Sequence, residues 1–195
     1  MARESSLFNM VMTLFVICLL SSAILGVVYA VTKEPIEASK VAKTNTAISK
    51  VVSEFDNDPS SEVFEVEIGG KSCKVYPAKK GTDIVGYAIE SFTSAGFGGR
   101  IVIMVGFNMD GTINNTSVIS HSETPGLGDK MVEGKGTFSL QFKGKDPASF
   151  KMQVKKDGGD VDAITASTIS SRAFCDAMNL AYEVFKKCKE EQQNK

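Results

Sequence analysis

From Leu7 to Val31 the chain runs twenty-five residues without a charge, LFNMVMTLFVICLLSSAILGVVYAV, interrupted only by Asn9, Thr13, Ser21, Ser22, Gly26 and Tyr29. About 20 apolar residues suffice to cross a hydrocarbon core of about 30 Å, so residues 7–31 are predicted to form a single transmembrane helix behind a short tail of residues 1–6. A cleaved signal peptide competes for the same stretch, with Val28-Tyr29-Ala30 as a small-x-small site and Arg3 as its basic start. The apolar part of such a peptide runs only about 7–15 residues, which favours the membrane helix. Residues 32–56 scatter Ile36, Ala47, Ile48, Val51 and Val52 among Lys and Glu, as expected of a juxtamembrane helix serving as a stalk or docking element. Asn57-Asp58-Pro59-Ser60-Ser61 then favours turns and marks the entry to a folded domain over 57–195.

The period of the pattern changes to two beyond that point. Phe64, Val66 and Ile68 alternate with Glu65 and Glu67, Gly69-Gly70 turns the chain, and Cys73 and Val75 continue on the far side, which predicts a β-hairpin. A second strand pair is expected over 83–92 and 100–107. The latter, RIVIMVGF, is nearly all apolar and therefore central in the sheet. The turn Asn108-Met109-Asp110-Gly111 leads to a further strand over 112–120. At the C-terminus Phe174, Ala177, Ala181, Val184, Phe185 and Cys188 recur at helical spacing while Arg172, Asp176, Lys186 and Lys189 point elsewhere, so an amphipathic helix is expected to pack on the sheet. Strands in the middle and helices at the ends, without βαβ alternation, make the fold class α+β: an antiparallel sheet with flanking helices.

Composition and charge narrow the partners. Lys plus Arg number 22 against 23 Asp plus Glu, a formal net charge of -1, which lacks the basic excess that neutralises a phosphate backbone; nucleic acid is excluded. Cys18, Cys73, Cys175 and Cys188 form no CxxC or CxxCH spacing for zinc, an iron–sulfur cluster or c-type haem, so redox chemistry would need an organic cofactor. Cys175 and Cys188, on one predicted helix, stand about 20 Å apart, beyond disulfide reach. Cys73 could pair with either only through tertiary proximity.

The chemistry concentrates in two stretches. Asp162-Ala163-Ile164-Thr165-Ala166-Ser167-Thr168-Ile169-Ser170-Ser171 sets small hydroxylated residues at the start of the C-terminal helix, where unpaired N–H groups and the helix dipole favour an anion. On local pattern alone, ordinary N-capping explains it equally. The second stretch, Glu123-Thr124-Pro125-Gly126-Leu127-Gly128, is a rigid Pro-Gly loop able to bring backbone close to a planar ligand, with polar contacts from Glu123 and Thr124, and a plain turn between strands is its simpler reading.

Both stretches resemble the FMN-binding domain family. Its flavinylation motif sets an Asp, two spacers, Ser or Thr, Gly, Ala, Thr, a spacer and Ser or Thr in that order, matched here by Asp162, Thr165, Thr168 and Ser170. The chain departs with Ala166 for Gly and Ser167 for Ala. The resemblance implies FMN attached through its phosphate to Thr168, with Thr165, Ser167, Ile169 and Ser170 beside it and the Glu123, Thr124, Gly126, Leu127 and Gly128 loop lining the flavin ring. Gly96-Phe97-Gly98-Gly99 resembles the family's glycine–aromatic turn, although a glycine-rich strand entry accounts for it nearly as well. His121, the single histidine, carries no role beyond its adjacency to Glu123.

Within the family the likeness is greatest to the G subunits of Rnf-type ion-translocating electron-transport complexes. It implies an electron-carrier subunit with covalent FMN, neighbouring membrane subunits as partners, and maturation by a flavin transferase that uses FAD and magnesium. It also implies a single-pass protein of the cytoplasmic membrane with its FMN domain on the extracytoplasmic side. Lys33, Lys40, Lys43 and Lys50 after the span would, taken alone, hold the domain in the cytoplasm; the family resemblance implies the opposite. The C subunit of sodium-pumping NADH:quinone reductase shares the motif and is the alternative within the class, and a membrane-tethered binding module without cofactor is the alternative outside it. With one histidine and no GxSxG elbow, a hydrolase has little to stand on.

Overall fold

The computed structural model describes residues 7–193; the expected tail of residues 1–6 lies outside them. The chain divides after Ala42 into two units, and helix α1 (Leu7–Val51) contributes residues to both. In the first, every side chain from Leu7 to Ala42 is exposed. An apolar window of α1 with mean hydropathy 2.6 has none of its residues buried, the pattern of a helix long and apolar enough for lipid.

The second unit is built on a five-stranded antiparallel sheet in the order β1-β2-β3-β4-β5, the α+β arrangement expected. β1 (Phe64–Ile68) and β2 (Lys71–Lys80) form the predicted hairpin, and Gly69 (φ 56°) and Gly70 (φ 76°) supply the two positive φ angles of a tight two-residue turn. β3 (Asp83–Gly96), β4 (Gly99–Asn108) and β5 (Ile113–Ser120) continue the meander. α2 (Thr168–Gln193) lies on one face, where its Phe174, Ala177, Ala181, Val184, Phe185 and Cys188 are all buried. Phe185 stacks on Phe107 of β4 at 4.8 Å between centroids, and the Ser91 hydroxyl of β3 donates to the Ala177 carbonyl at 2.7 Å.

The opposite face receives the last turns of α1. Ala47, Ile48 and Val51 pack with Tyr76, Ala78, Ala88 and Met104. The helix end finds partners for carbonyls that no helical N–H can reach: Asn114 donates its amide to Val51 O at 2.9 Å and Asn115 to Lys50 O at 3.1 Å. α1 stops at Val51, short of residue 56, because the next residues bond to the end of β2. Asp56 accepts the Gly81 N–H at 2.9 Å, and Asn57 accepts the Lys79 N–H at 2.9 Å while donating to Pro77 O at 3.0 Å.

Residues 129–161 show neither helical nor strand period and fold as short 3₁₀ turns, Gly128–Met131, Phe138–Phe142 and Lys155–Asp157. They nonetheless close the core end with Met131, Phe138, Phe142, Met152 and Val154, and Phe138 and Phe142 meet Phe174 of α2 at 5.4 and 5.3 Å. The cysteines are free thiols. Burial holds Cys175 protonated with a pKa pushed up to about 12 and Cys188 up to about 11, so neither is a ready nucleophile or ligand.

Candidate functional site

Three segments meet at one end of the sheet. The first is the β3–β4 turn, Gly96 to Gly99, which presents Phe97 to solvent at 70% exposure. In the second, Thr124-Pro125-Gly126-Leu127, the Leu127 N–H donates to Thr124 O at 3.2 Å, with Pro at the second position and Gly126 at φ 77° at the third, as a type II turn demands. The third is the first turn of α2. Together they enclose a cleft of about 320 Å³ lined by Phe97, Glu123, Thr124, Leu127, Gly128, Ala166, Ser167, Thr168, Ile169 and Ser170. That volume falls at the lower end of the range of about 300–1,000 Å³ usual for small-molecule sites.

The floor of the cleft is the start of α2. The Ser167 carbonyl accepts the Ser171 N–H at 3.0 Å, which makes Ser167 the N-cap and Thr168 the first helical residue. Among the described residues the N–H groups of Thr168, Ile169 and Ser170 meet no backbone acceptor, leaving donors for an anion at the positive end of a long helix. Apolar side chains rim the mouth: Phe97, Leu127 at 39% exposure and Ile169 at 50%. A phosphate at the floor and a flat apolar ring system at the rim therefore both find matching surfaces, and the donor set fits FMN.

Of the residues singled out in the sequence, Glu123, Thr124, Leu127, Gly128, Ser167, Thr168, Ile169 and Ser170 come together here. Gly126 shapes the loop without lining the cleft. Asp162 and Thr165 face a separate cavity of about 470 Å³ with Lys130, Thr137, Phe138 and Gln141. Gln141 brackets the Asp162 backbone, accepting its N–H at 2.8 Å and donating to its carbonyl at 3.0 Å, and the Asp162 carboxylate pairs with Lys155 at 2.8 Å. Glu123 is buried. Its Oε1 accepts the Gly98 N–H at 2.9 Å and its Oε2 accepts the Ser170 hydroxyl, so both oxygens are turned to the protein. His121 accepts the Glu123 N–H on Nδ1 at 3.1 Å. Phe97 has little weight in the linear pattern; its place at the rim follows from the hairpin geometry.

Ala166 is the sole non-glycine residue with positive φ (61°) among the described residues, at the motif position where a glycine is expected. A Cβ in the left-handed region costs about 1–2 kcal/mol, partly offset by the greater freedom of glycine in the unfolded chain. Ala166→Gly should therefore stabilise the domain by about 0.5–1 kcal/mol, read as a higher Tm. A lower Tm would mean that the methyl group is held by favourable packing.

A family profile described as FMN-binding domain matches residues 96–183, a span that contains every residue of the cleft. The chain is 34% identical over 172 residues to the G subunit of an ion-translocating oxidoreductase complex of Vibrio atlanticus, covering 84% of this chain and 82% of that protein. It is 30% identical over 191 residues to the G subunit of a Na(+)-translocating ferredoxin:NAD(+) oxidoreductase complex of Acetobacterium woodii, covering 91% of each. Another such G subunit, from Shewanella piezotolerans, is 39% identical over 118 residues, covering 59% of this chain and 56% of that protein.

Proposed function

The chain belongs to the G-subunit family of ion-translocating oxidoreductase complexes, and from that membership we propose that it is the electron-carrier subunit of such a complex, with FMN held as a phosphoester on Thr168. The observation that carries the reading is the place of Thr168: a half-buried hydroxyl on the first residue of α2, in the floor of a cleft with an apolar rim.

In attachment Thr168 gives up its hydroxyl proton as Oγ1 bonds to the flavin-side phosphorus of FAD, and AMP departs from the broken P–O–P bridge; a flavin transferase with Mg²⁺ is the catalyst. The N–H groups of Thr168, Ile169 and Ser170 would hold the phosphodiester charge, which the dipole of α2 also favours. Phe97, Leu127 and Ile169 would contribute apolar contact to the ring system and exclude water from one side of it. FMN, when bound, supplies the electron transfer, and the fold sets its position and solvent access. No acid–base pair in the cleft is required. The carrier works among other membrane subunits, and a covalent tether keeps the cofactor in place.

Peptide mass mapping tests the attachment. Trypsin should release Asp157–Arg172 carrying the flavin phosphate, and fragmentation should assign it to Thr168. Flavin on any other peptide would refute the site. Residues 7–31 are proposed to stay in the mature protein as one membrane helix with residues 33–195 outside the cytoplasm. A reporter active only outside the cytoplasm, fused after Lys195, should therefore be active. A silent reporter would restore the orientation suggested by the lysines, and a mature N-terminus at Val31 would show cleavage.

A further inference from the structure

We propose that Glu123 is the positioning residue of the cleft, a buried carboxylate that fixes the spacing of all three walls and thereby of the rim above them; this rests on the cofactor reading above only for what the rim contacts. A carboxylate that is 5% exposed needs donors, and it finds one on each side: the Gly98 N–H at 2.9 Å and the Ser170 hydroxyl. The surrounding backbone makes room for it. A Cβ on Gly96 would stand 2.6 Å from Oε1, and one on Gly128 would stand 2.7 Å from Oε2 and 2.6 Å from the Ser170 oxygen. Glycine at Gly128 thus admits the carboxylate, and at Gly96 it makes room both for the carboxylate and for the Gly99 carbonyl, into which a Cβ would also be driven.

The contacts are paired with the rim. Gly98 follows Phe97, Gly128 follows Leu127 and Ser170 follows Ile169, so each exposed apolar residue is the immediate neighbour of a residue that touches Glu123. One side chain therefore ties a loop to a strand turn 25 residues before it and to a helix start 47 residues after it, separations that provide no local connection. With each oxygen hydrogen-bonded to a wall of the cleft, Glu123 acts on a bound ring through the placement of these neighbours.

The distinction is testable because glutamine can replace both bonds: its carbonyl accepts from Gly98, and its amide donates to the Ser170 oxygen. Full-length Glu123→Ala, Glu123→Gln and Ser170→Ala chains would be made with and without the flavin transferase. In the unloaded Glu123→Ala protein, hydrogen exchange at the Gly98 amide should accelerate about tenfold, the equivalent of losing a hydrogen bond to a charged acceptor. In the loaded protein, iodide quenching of flavin fluorescence should rise several-fold and the visible circular dichroism of the flavin should change, with intact mass showing flavin still attached. Glu123→Gln should restore most of each signal, and Ser170→Ala should reproduce part of the loss, providing the same test should Glu123→Ala not fold. Unchanged exchange and quenching in both Glu123→Ala and Ser170→Ala, or a Glu123→Gln protein as perturbed as Glu123→Ala, would overturn the proposal. If even the unaltered chain takes up no flavin, the cofactor reading fails, while exchange in the unloaded proteins still decides the role of Glu123.

Discussion

Thr168→Ala should abolish covalent flavin and leave the domain folded. Four hydroxyls lie in the motif, and the structure separates them. Thr165 faces the second cavity, Ser167 is 7% exposed at the N-cap, and Ser170 is buried and donates to Glu123, whereas Thr168 is half-buried and lines the cleft. The proposed phosphoester needs an oxygen that can reach the phosphorus beside the open N–H groups of the helix, and Thr168 is the hydroxyl that lies there. Alanine is a good helix former and Thr168 is only half-buried, so the change in stability should stay within about 0.5 kcal/mol. Fluorescence of the band in a denaturing gel, alongside Tm, reads both expectations. A band of unaltered brightness would rule out Thr168 as the acceptor and make Ser167 the next candidate.

Gly106→Ala should be the most damaging single methyl group in the sheet. Gly106 lies in central β4, and a Cβ there would be driven into the Val51 carbonyl at the end of α1, while standing only 3.0 Å from the Val51 Cβ. The obstacle is backbone already tied by Asn114 and Asn115, so it cannot rotate away as a flexible side chain would. Forced overpacking of this kind costs about 3 kcal/mol, at the upper end of the usual range. For a chain of this size the loss corresponds to a Tm lower by roughly 6–12 °C. Thermal unfolding of the two proteins measures it. A drop of under about 1 °C would show that the end of α1 does not sit on this face.

The parts of the fold that repeat locally were legible. The Gly69-Gly70 turn between alternating strands, the apolar run of β4 and the helical spacing of Phe174 to Cys188 each carry their own period, and the structure has them where the pattern put them. The stretch from 129 to 161 was not legible because its core residues, among them Phe138, Phe142 and Met152, come from 3₁₀ turns and irregular chain that impose no period. Gly106 reads as one small residue in an apolar strand; that a helix end rests on it is a tertiary fact. The site divides the same way. Its two motifs were visible as motifs, but the bond from Ser170 to Glu123 joins residues 47 apart, and nothing local announces it. The separation of Asp162 and Thr165 from the cleft is equally invisible in a linear motif, since it depends on Gln141 drawing the Asp162 backbone toward a different wall. Ala166 is the intermediate case: a glycine position in the motif hinted at a left-handed residue, and φ 61° is what the structure has there.

Covalent FMN on this chain can be weighed outright, by intact-mass measurement of the full-length protein produced with and without a flavin transferase. A mass increase equal to FMN less one water is expected, present only with the transferase and absent from Thr168→Ala made in the same cells. An unaltered mass in the presence of active transferase, or the same increase in Thr168→Ala, would contradict attachment at this site.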